Sequence, residues 1–212
     1  VRAIIIAGDG RTFPAGADIR EFGKPPLAPH LPEICSTIEA SEKPVIAAIH
    51  GTALGGGLEV AMGAHYRIAD AKARMGLPEV LLGVLPGAGG TQRLPRLAGV
   101  GHALEMMTTG APVTADKALA LGIIDRIAAG DLLSGAREFA SEILEQDLGP
   151  RPTSGRHDKL ADRDANAAAI KATQERLGKT ARGLFAPFRI VECVEAAIEK
   201  PIEDGLRVER EK

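Results

Sequence analysis

Residues 50–96 read HGTALGGGLEVAMGAHYRIADAKARMGLPEVLLGVLPGAGGTQRLPR, and this glycine-rich stretch decides the fold. Gly55, Gly56 and Gly57 lead directly into LEVAMGA, a pattern typical of a tight loop that feeds the first turn of a helix. The first N–H groups of a helix have no partner within it, and the helix dipole adds partial positive charge there. The stretch therefore predicts a backbone site that can hold an oxyanion.

Two carboxylates in this stretch stand among apolar residues rather than in a charged run. Glu59 lies between Leu58 and Val60, and Glu79 follows Pro78. Burial disfavours the ionised form and moves the pKa of a carboxyl toward values useful in acid–base chemistry. Each acid also has a structural interpretation, Glu59 as a first-turn residue that complements the helix dipole and Glu79 as a cap of the next turn. Together they predict a pair that shares one water, although their separation in sequence does not show that they meet.

Four motifs surround the two acids in a fixed order. They are xFxAGADI within residues 11–22, GxALGGGxE, GxPEVxxGxxPGxGGTQRLPR and ALALGIIDRI, and they span residues 11–127. Together they resemble the crotonase, or enoyl-CoA hydratase/isomerase, family. The resemblance implies an α/β fold, a crotonase-like spiral of repeated ββα units with a C-terminal helical region. Residues 185–212 are closest in pattern to the N-terminal hydratase half of multifunctional fatty-acid β-oxidation enzymes.

The resemblance implies an enoyl-CoA hydratase, a lyase that adds water reversibly and in syn fashion to trans-2-enoyl-CoA and gives 3-hydroxyacyl-CoA in β-oxidation. By the same resemblance, Glu59 orients and deprotonates the water, and Glu79 exchanges a proton with the α carbon through that water. The oxyanion-hole N–H donors map to Ala17 and Gly56. No cofactor is expected, because coenzyme A is part of the substrate. The expected substrate-binding residues are Ala15, Gly16, Asp18, Ile19, Gly55, Gly57, Pro78 and Gly87.

Two other functions stay open. Relatives that shift a double bond can work with one carboxylate, so the pair favours a hydratase over a Δ3,Δ2-enoyl-CoA isomerase. The other is a non-catalytic crotonase scaffold that binds acyl-CoA or RNA. Residues 156–182 carry basic side chains, but acids are mixed among them, which is not typical of a phosphate track. A formal charge of -2 and an aromatic content of 3% also argue against nucleic acid as a partner.

Length and periodicity predict how the chain is organised. With 212 residues, 45% of them hydrophobic, it can form one globular unit. We expect a crotonase core at 1–130, which opens on a buried strand and has a proline-rich loop over the pocket at 20–32. C-terminal helices are expected at 131–200, and a charged tail at 201–212 that protrudes. The first strands of the family pattern have no counterpart here, so we expect the sequence to be part of a longer chain.

The remaining expectations concern partners and location. Cys35 and Cys193 are far apart, and the five histidines show no ligand spacing, so no metal site is expected. The sequence contains neither a signal-like start nor a long apolar run, which favours a cytoplasmic protein without a membrane span. By resemblance, the C-terminal helices pack between subunits of a homo-oligomer, a trimer or a dimer of trimers.

Overall fold

Two small β-sheets form the centre of the molecule in the computed structural model, which describes residues 1–16 and 28–212. The strands are β1 (Ile4–Ala7), β2 (Val45–Ile49), β3 (Thr52–Leu54), β4 (Tyr66–Ala69), β5 (Arg74–Gly76), β6 (Val113–Thr114) and β7 (Arg126–Ile127). The larger sheet has the order β1-β2-β4-β7 and its pairs are parallel. The smaller sheet has the order β3-β5-β6, with β3 and β5 parallel and β6 antiparallel to β5.

Helices follow the strands and fill the C-terminal half. They are α1 (Leu31–Glu39), α2 (Gly56–Gly63), α3 (Gly90–Ala98), α4 (Val100–Thr109), α5 (Ala115–Leu121), α6 (Leu132–Glu145), α7 (Arg163–Thr180), α8 (Ala186–Glu199) and α9 (Ile202–Glu211). Short 3₁₀ turns lie at Glu79–Leu82, Thr153–Gly155 and Asp158–Leu160.

Strands β2 to β5 alternate between the two sheets, and this alternation builds the spiral. In β2-β3-α2 the first strand joins the larger sheet and the second joins the smaller one. The same division recurs in β4-β5, after which the 3₁₀ turn leads to α3. The predicted α/β spiral of ββα units with a C-terminal helical region is therefore confirmed.

Strand β2 is the centre of the hydrophobic core because both of its faces are covered. Successive side chains of a strand point to opposite faces of the sheet. Ile46 and Ala48 pack with residues of α6, whereas Ala47 and Ile49 join the main cluster that also contains Leu58 of α2. This packing fixes the end of β2, and with it the start of the glycine loop at residue 55.

Three sequence-based predictions need correction. The strand at the N-terminus exists, but it is only half-buried, with Ile4 39% exposed, because β1 lies at the edge of the larger sheet. The tail at 201–212 does not protrude: it forms α9, whose Ile202, Gly205 and Glu209 are buried at helical spacing. The loop predicted at 20–32 ends where α1 begins at Leu31, and its residues up to 27 lie outside the described part of the chain.

Other local predictions are confirmed. The sequence predicts a helix that Thr114 caps and Gly122 ends. In the structure the side chain of Thr114 accepts a hydrogen bond from the N–H of Lys117, and Gly122 ends α5 in the left-handed region. The sequence also predicts that Pro187 starts a helix, and Pro187 lies in the first turn of α8. Across residues 1–16 and 28–212, none of the helices combines the length and the apolar character needed to span a bilayer.

Candidate active site

The site begins at the glycine loop between β3 and α2. Gly55 precedes the helix with φ of +54°, a backbone conformation that residues with a Cβ rarely adopt. Its N–H donates to the carbonyl of Gly76 at 2.9 Å. The sequence predicts a helix at 59–65, after the three glycines, whereas α2 starts three residues earlier at Gly56. The N–H of Gly56 therefore belongs to the first turn, where helix N–H groups have no partner inside the helix.

Gly57 serves packing rather than the wall of the cavity. A Cβ at this position would overlap the carbonyl of Pro14, so the loop that contains Pro14 can lie against α2 only because residue 57 has no side chain. Ala15 and Gly16, which follow Pro14, reach the cavity beside the helix start. The glycine at 57 thus brings the two predicted motifs into contact.

Glu59 lies one turn into α2 and is 2% exposed. Its Oε1 accepts hydrogen bonds from the N–H groups of Ala88 at 2.7 Å and Gly90 at 2.8 Å. Burial raises the pKa of Glu59, and these two N–H donors and the charge of Arg93 oppose that rise. The dipole that this carboxylate complements is therefore that of α3, not that of its own helix.

Glu79 is the first residue of the 3₁₀ turn and faces the glycine loop. A Cβ on Gly55 would lie 3.0 Å from its Oε1, so the carboxylate packs directly against that loop. Burial, together with the charge of Glu59, raises the pKa of Glu79 to about 7. Its buried Oε2 has no hydrogen-bond partner within residues 1–16 and 28–212. An unpartnered buried oxygen of this kind is available to a substrate or a water.

Both acids open onto one cavity of about 400 Å³ with a mostly apolar wall. The cavity brings together eight predicted site residues: Ala15, Gly16, Gly55, Gly56, Glu59, Pro78, Glu79 and Gly87. Side chains that the sequence did not single out complete the wall: Leu31, Pro32, Leu82, Val84, Leu85 and Ala88. Of the remaining predicted residues, Gly57 lies outside this lining, and Ala17, Asp18 and Ile19 lie outside the described residues.

A third buried carboxylate, Glu209 of α9, was missed by the sequence analysis. It is 3% exposed, and its Oε1 accepts from the N–H of Gly89 at 2.7 Å. Its Oε2 accepts from the N–H of Thr91 at 3.0 Å and from the hydroxyl of Thr91 at 2.5 Å. Burial and then the charge of Glu59 raise the pKa of Glu209 to about 7. The spacing of Ile202, Gly205 and Glu209 on one helix face was the signal that could have found it.

The start of α3 shows how the GAGGT run folds. From the sequence alone, this run predicts either an anion site at a helix start near Thr91 or a structural hairpin. The structure has a helix that begins at Gly90, and the protein's own carboxylates accept from the N–H groups of residues 88–91. The prediction of a hairpin is therefore wrong, and the anions at this helix start are the carboxylates of Glu59 and Glu209.

The fold and the site together define a class of protein. Two acids in different environments share one apolar cavity beside a helix start, which suits proton transfer to and from a substrate whose oxygen gains negative charge. In the described residues, no group of three or more His, Cys, Asp or Glu is arranged to hold a metal ion. The arrangement is that of an acid–base enzyme built on a ββα spiral.

Comparison with known proteins places the chain within this class. The family model described as enoyl-CoA hydratase/isomerase matches residues 1–180, and the chain belongs to this family. The peroxisomal bifunctional enzyme of Danio rerio is 46% identical over 211 residues, which cover 100% of this chain and 29% of that protein. A probable enoyl-CoA hydratase of Bacillus subtilis is 47% identical over 156 residues, which cover 69% of this chain and 60% of that protein.

A solved structure supports the same assignment. The enoyl-CoA hydratase from Bacillus anthracis matches with a TM-score of 0.64 and 30% identity over 88% of this chain and 81% of that chain. The resemblance to the crotonase family and to multifunctional β-oxidation enzymes is thus confirmed. The chain spans 29% of the length of the Danio rerio and Homo sapiens relatives that it matches.

Proposed function

We propose that the chain is an enoyl-CoA hydratase that adds water reversibly, with syn geometry, to trans-2-enoyl-CoA and forms 3-hydroxyacyl-CoA in fatty-acid β-oxidation. The observation that carries the proposal is the pair Glu59 and Glu79 on one cavity. Membership of the enoyl-CoA hydratase/isomerase family supports the substrate class. A second acid gives the site both a base for the water and an acid for the carbon, which a hydration needs.

The two acids divide the work according to their surroundings. Glu79, with a pKa of about 7, is about half protonated at neutral pH, and in the proposed reaction its protonated form delivers the proton to the α carbon. Two N–H donors stabilise the ionised form of Glu59, which takes a proton from the water as the water oxygen adds to the β carbon. One proton moves onto the pair and one leaves it. The total number of protons on the two acids is therefore the same before and after the addition.

The negative charge that develops on the thioester oxygen is proposed to lie at the helix start. The N–H of Gly56 is one donor, supported by the dipole of α2, and Ala17 is proposed as the other. Removing one donor of an oxyanion hole typically lowers kcat about 10²- to 10³-fold. The apolar wall formed by Leu82, Val84 and Leu85 is proposed to hold the acyl chain.

The test follows the loss of enoyl-thioester absorbance with a short trans-2-enoyl-CoA. We expect turnover by the 212-residue chain and a loss of about 10²-fold or more in both Glu59→Gln and Glu79→Gln. Glu211→Gln, an equal change of charge on an exposed residue of α9, is the control and keeps full activity. Turnover that survives both site substitutions in folded protein contradicts the two-acid mechanism. Salt-sensitive RNA binding without any CoA thioester, in a chain that has no turnover, would favour the scaffold alternative.

The proposal extends to partners and location. We propose a homo-oligomer, a trimer or a dimer of trimers formed through the C-terminal helices, with acyl-CoA thioester as substrate and no metal or separate cofactor. Sedimentation of the purified chain measures the oligomer. A cytoplasmic location stays a prediction, and the name of the Danio rerio relative makes the peroxisome the competing one. The division at 130 and 200 also stays a prediction.

A further inference from the structure

Two carboxylates from distant parts of the chain interleave at the start of α3. Glu59 accepts from the N–H groups of residues 88 and 90, and Glu209 accepts from those of residues 89 and 91. Four consecutive N–H groups thus donate alternately to the acid of α2 and to the acid of α9. A displacement of any one peptide unit in this turn moves the donors of both acids, because consecutive peptide planes share a Cα atom.

We propose that Glu209 is a positioning residue for Glu59. It holds Gly89 and Thr91, and so fixes the peptide units whose N–H groups orient the carboxylate of Glu59 toward the cavity. The inference rests on the proposed function, in which Glu59 handles the water. Under this proposal α9 affects the reaction through Glu59, and Glu209 itself does not contact the substrate.

The turn needs this external support because of its own composition. Gly89 has φ of +97°, and a Cβ there would overlap the guanidinium of Arg93. A Cβ at Gly90 would lie 2.8 Å from Oε1 of Glu59. Glycine is therefore required at 89 by the backbone conformation and by Arg93, and at 90 by the carboxylate of Glu59. Glycine also leaves the backbone free to adopt many conformations. The carboxylate of Glu209 restricts that freedom at the position where Glu59 depends on it.

Other contacts dock α3 against its neighbours, so the proposed role of Glu209 is distinct from docking α3. The amide of Gln92 donates to the carbonyl of Cys193 in α8 at 2.8 Å, and Arg93 forms an ion pair with Glu39 of α1 at 2.7 Å. These contacts hold α3 in place independently of α9. Replacing the carboxylate of Glu209 should consequently loosen the turn at 88–91 while the helix stays packed.

The first experiment is amide hydrogen exchange by NMR, which needs no substrate. Glu209→Gln keeps the size of the side chain but offers one acceptor oxygen where two are used. We expect the N–H groups of Ala88 and Gly90, which are not bonded to Glu209 itself, to exchange at least about tenfold faster in this variant. In the control Glu211→Gln they keep their protection. Unchanged protection of Ala88 and Gly90 in Glu209→Gln overturns the proposal.

The second experiment is a double-mutant cycle on hydration. We expect Glu209→Gln to lower kcat about 10- to 100-fold with less than about a threefold change in KM, because an acid is misaligned and the cavity is intact. In the Glu59→Gln background the same substitution should have no further effect. An equal loss in both backgrounds shows a role that does not act through Glu59 and overturns the inference. A 212-residue chain without hydration activity removes the proposed function, and the exchange experiment then decides the geometry alone.

A second pair of variants covers a Glu209→Gln protein that does not fold. Thr91→Val keeps the volume of the side chain and removes the hydroxyl that donates to Glu209, whereas Thr91→Ser keeps the hydroxyl. We expect a loss in kcat and faster exchange at Ala88 and Gly90 in the first variant and near-normal values in the second. Equal behaviour of the two variants contradicts the proposal.

Discussion

In the proposed mechanism Glu59 and Glu79 together carry one proton, and this predicts the shape of the pH–rate profile. Because hydration leaves the number of protons on the pair unchanged, the form that carries one proton is active in both directions. The proton is lost with a pKa of about 7, which burial and the charge of Glu59 give to Glu79. We therefore expect kcat/KM to be highest below neutral pH and to fall as the pH rises through 7.

The size of this fall follows from the same value. With a pKa of about 7, only about 1% of the pair keeps its proton at about pH 9, so kcat/KM falls about 100-fold from its plateau. An ordinary carboxyl, which titrates at 4.5, would be fully ionised throughout this range. The alkaline limb thus reports the raised pKa of Glu79 and not the presence of a carboxyl as such.

The assay is the loss of enoyl-thioester absorbance at substrate concentrations well below KM, measured from about pH 6 to about pH 9. In Glu59→Gln the alkaline fall of the residual kcat/KM should occur at a lower pH than in the parent chain. The reason is that one of the charges that raise the pKa of Glu79 has been removed. Glu211→Gln should reproduce the profile of the parent chain. A flat profile across the range, in protein that stays folded, refutes the reasoning.

Three further predictions concern stability. The pKa of Glu209 is about 7 in the folded protein and ordinarily 4.5. Its contribution to the free energy of unfolding is therefore present below pH 4.5 and is lost as the pH rises through 7. Chemical denaturation should show that this loss, about 3 kcal/mol, is absent in Glu209→Gln. Gly57→Ala should lower the unfolding free energy by about 1–3 kcal/mol, because its methyl group would overlap the carbonyl of Pro14; Gly87→Ala, which has open space, is the control in thermal unfolding. Thr114→Ala should cost about 1 kcal/mol through loss of the α5 cap, and no change in the melting temperature would contradict that role.

Local sequence predicted the parts of the fold that depend on near neighbours. The apolar run VIAAI predicts a buried strand, Thr114 a helix cap and Pro187 a helix start. The structure has all three, because each reflects a propensity or a turn of a few residues. The order of the motifs then supplied the spiral, which no single element could have given. Predictions failed where burial depends on the sheet order, as for β1 at its edge.

The candidate site was predicted only in part, and the reason is distance along the chain. Glu59 and Glu79 stand out because their immediate neighbours are apolar. Glu209 stands in a charged segment, RVEREK, where it looks like a residue of a solvated face. Its burial depends on the turn before α3, where Gly89 lies 120 residues earlier. The partner of Glu59 was misassigned for the same reason, since its own helix start is near in sequence and that of α3 is not.

The dependence of the α3 turn on Glu209 also sets an order of events during biosynthesis. Ribosomes deliver the N-terminal end first, so both proposed catalytic acids leave the exit tunnel well before residue 209 does. Until then, the N–H groups of Gly89 and Thr91 lack the carboxylate that holds them in the finished molecule. A nascent chain with the whole spiral in place would still lack a fixed catalytic turn. The side chain that fixes this turn is thus made 120 residues after Gly89, the first of the two residues that it holds.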